Sequence, residues 1–212
     1  MQTNETYLIG VTGSYGTGKS LVGEILSEFG VHVIDTDHIV KEILASENDI
    51  SKLIVNEFGS IVCKSLNGEF IDRKELADIV FKDEGRRKKL ESFVHPEVGK
   101  RLTALITDNR DKKVIAVLIP LLFEVNLQES YNETWCVICK EEIQLKRLKK
   151  KGITPDQALS RIKSQMPLDK KAALSDFVIN NSDSEENTRE QVKNRLKRLA
   201  QLNHNFHLFS GK

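Results

Sequence analysis

Apolar positions along this chain fall into two recurring patterns, and their alternation predicts an α/β fold. Short, almost wholly apolar runs occur at 7–12, 31–34, 114–119, 135–138 and 177–179. Runs of that length read as strands covered on both faces, and their wide spacing implies parallel pairing. Between them the period changes. Val22, Ile25, Leu26 and Phe29 stand at helical spacing with Gly30 as a stop, and Ile39, Val40, Ile43 and Leu44 share a face. So do Leu76, Ile79 and Val80, and then Val98, Leu102, Leu105 and Ile106. The mainly helical block 38–110 is too long for a simple crossover. A second stretch, 140–171, is strongly charged and helical, interrupted at Gly152 and Pro155, and 185–202 is a final amphipathic helix. The expected organisation is one domain over 1–212, with its core drawn from 1–38, 113–145 and 173–212. Helical inserts are expected at 39–112 and 146–172. There is no internal repeat and no low-complexity linker.

The first strand runs into Gly13-Ser14-Tyr15-Gly16-Thr17-Gly18-Lys19-Ser20, which fills the phosphate-binding pattern G-x-x-x-x-G-K-[ST] without a gap. The motif sits where a strand passes into a helix. Loop N–H groups, the free donors of the first helical turn and the helix dipole then converge on one spot. Gly13, Gly16 and Gly18 let the backbone approach phosphates. Lys19 is placed for the β/γ-phosphates, and the Ser20 hydroxyl for Mg²⁺. The fold class expected is therefore an α/β, three-layer P-loop NTPase-type parallel sheet, with the helical inserts at 39–112 and 146–172 forming a clamp over the nucleotide site. Two inserts around one nucleotide site suit phosphoryl transfer, where water must be excluded.

Composition narrows the partners. Across 212 residues, 32 Lys plus Arg nearly balance 31 Asp plus Glu, so no global field draws in nucleic acid or an anionic membrane. No apolar stretch reaches bilayer length, and residues 1–6 lack the regions of a signal peptide, which makes the cytoplasm the expected location. Cys63, Cys136 and Cys139 show no zinc spacing and read as reduced core thiols. His32, His38, His204 and His207 have no spacing that suggests ligation. A monomer or weak homo-oligomer is expected.

A P-loop enzyme normally holds a carboxylate near its Mg²⁺. The run 114–119 passes straight into Pro120-Leu121-Leu122-Phe123-Glu124 with no Asp at the strand end. The carboxylates at a strand end are instead Asp35 and Asp37, where ligands of open α/β sheets bind. Two apart in extended chain, they point the same way, so one could support the metal and the other accept a proton from an attacking hydroxyl. The competing reading makes Asp37 an N-cap of a helix starting near His38.

Taken in order, several segments resemble the dephospho-CoA kinase family over nearly the whole chain. They are Ile9-Gly10-Val11-Thr12-Gly13, Val33-Ile34-Asp35-Thr36-Asp37, His95-Pro96, 119–124, Gln144-Leu145-Lys146-Arg147 and 158–166. The resemblance implies transfer of the ATP γ-phosphoryl to the ribose 3′-hydroxyl of dephospho-CoA, with Asp37 as general base and Asp35 helping to organise Mg²⁺. It implies that the 39–112 insert binds the acceptor and the 146–172 segment is a lid. It also implies that Lys19 and Arg147 serve the transferring phosphoryl, that Arg161 is a second basic lid residue, and that Thr12, Asp35, Asp37, His95 and Arg161 face the acceptor. Asn180 and Asn181 match an Asn pair near the adenine, with a turn role as the alternative. His95 either caps a helix begun at Pro96 or faces the acceptor. The loop departs from the common Gly-Gly-Ile-Gly-Ser-Gly-Lys-Ser/Thr-Thr at Ser14, Tyr15, Thr17 and Leu21. Leu21 leaves only a backbone N–H where a threonine hydroxyl would approach the α-phosphate, and Tyr15 is large enough to cover part of the phosphate site. Another P-loop nucleoside or nucleotide kinase is the nearest alternative. A regulatory GTPase or ATPase switch is the alternative from another class, and the lack of Asn-Lys-x-Asp and Asp-x-x-Gly motifs argues against the GTPase.

Overall fold

The computed structural model describes residues 6–63, 70–80 and 82–202. Among these, five strands form one sheet: β1 (Tyr7–Gly13), β2 (His32–Asp35), β3 (Val114–Leu118), β4 (Glu133–Ile138) and β5 (Phe177–Asn180), in the order β2-β3-β1-β4-β5. β1 pairs in parallel with β3 on one side and β4 on the other, and β4 with β5. The chain leaves β1 between neighbours reached by crossovers in opposite directions. That is the switch point of an open α/β sheet, where a crevice forms beyond the strand ends. The P-loop occupies it.

Alternation along the strands builds the layers. Ile9 and Val11, Val114, Ala116 and Leu118, Trp135 and Val137, and Ile179 share one face, all buried. Against them pack Val22, Ile25 and Leu26 of α1 (Lys19–Glu28) and Val192, Leu196 and Leu199 of α9 (Glu185–Leu202). α1 stops in a Schellman arrangement, with the Gly30 N–H donating to the Ser27 carbonyl and the Val31 N–H to that of Leu26. On the other face Cys136 meets Ser175, just past α8 (Leu168–Leu174). Helix, sheet and helix make three layers, the expected P-loop α/β class.

Two compact units emerge: the described residues of 1–34 with 108–212, and those of 35–107. The second holds α2 (Thr36–Ala45), α3 (Asp49–Phe58), α4 (Arg73–Val80) and most of α5 (Glu84–Asp108). Its own core gathers Leu44, Ile54, Phe58, Val62, Ile71, Leu76, Val80 and Val94. α6 (Glu141–Lys150) and α7 (Pro155–Lys163) belong to the first unit.

Two local expectations change. Cys63 is exposed, in an isolated bridge with Ile71, because its neighbour Val62 takes the inward position; Cys136 and Cys139 are buried, and all three thiols are free. Pro96 lies inside the 25-residue α5, so His95 is a mid-helix residue exposed to solvent and caps nothing. An interior proline gives up one ladder hydrogen bond, and its ring crowds the carbonyl four residues back. His204, His207 and residues 1–5 lie outside the described residues.

Candidate active site

The P-loop folds around its own carbonyls. Lys19 Nζ donates to the carbonyls of Gly13 (3.0 Å) and Ser14 (3.1 Å), and the Thr17 hydroxyl donates to Ser14 as well (3.0 Å). Gly18 holds φ 105°, and a Cβ there would lie 1.9 Å from Asn181 Nδ2. Only glycine satisfies both the left-handed backbone and that approach. Ser20 is exposed in the first turn of α1, while Leu21 is half-buried against the core cluster. The side chain at 21 thus exchanges a polar group for core packing.

α6 braces the loop through one face. Gln144, Arg147 and Leu148 stand at the i, i+3, i+4 spacing that puts side chains together. Gln144 Nε2 donates to the Tyr15 carbonyl (2.6 Å) and to Ser14 Oγ (3.3 Å), and Arg147 Nη1 donates to the Thr17 carbonyl (3.2 Å). Arg147 Nη2 also reaches Asn181 Oδ1 (3.4 Å). Asn181, 1% exposed, donates from Nδ2 to the same Thr17 carbonyl (2.8 Å), and its Oδ1 accepts from Thr188 (3.0 Å). Asn180 is different: exposed, it turns its Oδ1 to the Ser182 N–H and exchanges backbone bonds with Gln191.

The segment leading out of α7 also touches the loop. Gln165 Oε1 accepts the Tyr15 N–H (2.9 Å), and Arg161 Nη1 donates to the Tyr15 hydroxyl (2.6 Å). The next residue is tied down by the 119–124 motif: Glu124 Oε1 accepts both the Met166 N–H (2.8 Å) and Lys171 Nζ (2.8 Å). The fully buried Lys171 donates to the Pro120 carbonyl too, which also accepts from Thr12 Oγ1 (3.3 Å). Gln144, Glu124, Gln165 and Lys171 had no role from sequence. The face shared by Gln144 with Arg147 was the signal available for the first; the others contact residues far along the chain.

In the second unit Asp35 and Asp37 do not stand as a pair in extended chain. Asp35 closes β2 and caps α2, its Oδ1 accepting the Asp37 N–H at 2.9 Å. Asp37 is already in the first helical turn and exposed, so the N-cap is Asp35 rather than Asp37. The helix begins two residues earlier than the His38 expectation because an aspartate at the strand end satisfies a first-turn donor. Among the described residues no cluster of three His, Cys, Asp or Glu could hold a metal alone.

A parallel sheet with a braced P-loop at its switch point and basic helices packed on that loop defines a P-loop kinase, an ATP-dependent enzyme class. The chain belongs to the dephospho-CoA kinase family, whose model matches residues 7–187. A dephospho-CoA kinase of Carboxydothermus hydrogenoformans is 40% identical over 188 residues, covering 87% of this chain and 90% of that protein. Among solved structures, a Thermus thermophilus protein superposes with TM-score 0.74 at 31% identity, covering 92% of this chain and 98% of its own. A dephospho-CoA kinase from Campylobacter jejuni superposes with TM-score 0.65 at 28% identity, covering 92% and 97%.

Proposed function

We propose that this protein transfers the γ-phosphoryl of ATP to the ribose 3′-hydroxyl of dephospho-CoA, giving CoA and ADP. The observation that carries the reading is the family match over 7–187 in a chain whose phosphate loop is intact. Gly13 to Leu21 cradle the triphosphate. Lys19 leaves the carbonyls of Gly13 and Ser14 for the β/γ-phosphates, exchanging two neutral acceptors for charged ones. Arg147 and Asn181 hold the Thr17 carbonyl and so fix the loop's shape, and Arg147 with Arg161 presents positive charge to the transferring group. Asn180, being exposed, is the member of the Asn pair open to the nucleoside.

Asp37 is the general base on the acceptor hydroxyl, and it stands exposed in the first turn of α2. Asp35, His95 and Arg161 serve the acceptor within the organisation 1–38, 113–145 and 173–212 as core, 39–112 as acceptor insert and 146–172 as lid, whereas Thr12, expected to face the acceptor, is fully buried with its hydroxyl on the Pro120 carbonyl. Ser20 and Asp35 suit Mg²⁺ brought by the nucleotide. One hydroxyl and one carboxylate do not make a protein cage, but Mg²⁺ in kinases keeps water and phosphate oxygens as most of its ligands. When bound, the ion neutralises charge on the β/γ-oxygens. A cytoplasmic place of action fits these substrates, and no helix among the described residues is long and apolar enough to cross a membrane.

Measuring ATP turnover with and without dephospho-CoA tests the reading. The enzyme should be nearly idle alone and active with acceptor, and acceptor-independent hydrolysis at the same rate overturns it. Asp37→Asn should keep ATP affinity and lose about 10²-fold or more in kcat. Full activity in that variant removes the base from Asp37 and makes Asp35 the candidate.

A further inference from the structure

Tyr15 is tethered to segments outside the phosphate loop at its N–H, its carbonyl and its hydroxyl. Its N–H goes to Gln165, its carbonyl accepts from Gln144, and its hydroxyl accepts from Arg161 at 2.6 Å. The Arg161 guanidinium carbon also lies 5.0 Å from the centre of the Tyr15 ring. A hydrogen bond and a stacked ring together fix both the place and the plane of a guanidinium. A phenol accepts the hydrogen bond without bringing a formal charge.

We propose that Tyr15 is a positioning residue for Arg161, holding the guanidinium at the phosphate loop before nucleotide arrives. The proposal rests on the reading of this site as a kinase centre in which Arg161 meets the triphosphate or acceptor. Arg161 otherwise has several rotatable bonds to order at the moment of binding, and the stack on Tyr15 orders them in advance. Gln165, four residues along the chain, accepts the N–H of the same loop residue, so the exit of α7 is tied to the loop as well.

The test is a double-mutant cycle read in two ways. Tyr15→Phe keeps the ring and loses the acceptor, Tyr15→Leu loses both, and each is made with Arg161 intact and in Arg161→Met. With ATP and dephospho-CoA, Tyr15→Leu should lower kcat about tenfold and Tyr15→Phe about threefold. In the Arg161→Met background Tyr15→Leu should change kcat less than about twofold, because the residue it positions is gone. Equal effects in both backgrounds, or none in either, overturn the proposal. Calorimetric affinity for the non-hydrolysable analogue AMP-PNP with Mg²⁺ supplies the second reading. Tyr15→Leu should weaken it with Arg161 present and not in Arg161→Met, and equal weakening in both contradicts the proposal. A parent protein that fails to phosphorylate dephospho-CoA refutes the functional reading, while the AMP-PNP cycle still decides the role of Tyr15.

Discussion

At residue scale the geometry of the phosphate loop converges on Gly18 and the Thr17 carbonyl before it. That carbonyl accepts from both Asn181 and Arg147, and Gly18 turns under them with φ 105°. Gly18→Ala meets the Asn181 amide and a left-handed backbone at once. A residue held so is strained by about 1–3 kcal/mol, and the melting temperature should fall by roughly 5 °C. Nucleotide affinity should fall more than tenfold, since the loop donors lose their common aim. Calorimetry with ADP and a thermal melt check both, and an unchanged affinity contradicts this account of the loop. The loop residues were legible in sequence because the motif is contiguous. The true cap of α2 was not: Asp35 and Asp37 are both good caps, and only the backbone shows which one precedes the helix.

At the scale of elements, two buried charges tie segments together. Lys171 of α8 is fully buried between Glu124 and the Pro120 carbonyl, and Glu124 also holds Met166. Lys171→Met leaves the carboxylate without its cation; with Glu124 partly exposed, the cost should lie at the low end of the buried-pair range, about 3 kcal/mol. Urea unfolding measures it, and a neutral result contradicts the anchoring role. The second charge is Glu133 of β4, which is 3% exposed and accepts from Trp135 (2.7 Å), Arg195 of α9 (2.6 Å) and Tyr7 of β1 (3.2 Å). Burial first, and then the Glu133 charge, push the Tyr7 phenol up to about 12 from 10. The folded state therefore favours the neutral phenol. Its contribution is whole below pH 10 and is lost as pH rises towards 12. Thermal melts should be less stable across that interval, and less so for Tyr7→Phe. Strands and the helices of 140–171 were legible from period and apolar runs. Their attachment was not, because Gln144 meets Ser14 across 130 positions and Gln165 meets Tyr15 across 150. No local pattern encodes such a partner.

At the scale of the whole molecule, the chain divides into a unit carrying the phosphate loop and a unit carrying Asp35, Asp37 and His95. The three-layer core was readable from apolar runs and helical faces, since burial on both faces makes most strand positions apolar. The choice of acceptor came from ordered motifs, and membership of the dephospho-CoA kinase family now supports it over the full span 7–187. The most direct measurement is phosphorus NMR of the product formed from ATP, Mg²⁺ and dephospho-CoA, beside parallel reactions offered AMP, CMP, UMP or shikimate. The account predicts one new phosphomonoester on the ribose 3′-oxygen of dephospho-CoA, one ADP for each, and no comparable rate with the other acceptors. A phosphate elsewhere on the molecule, or equal turnover of a nucleoside monophosphate, contradicts it.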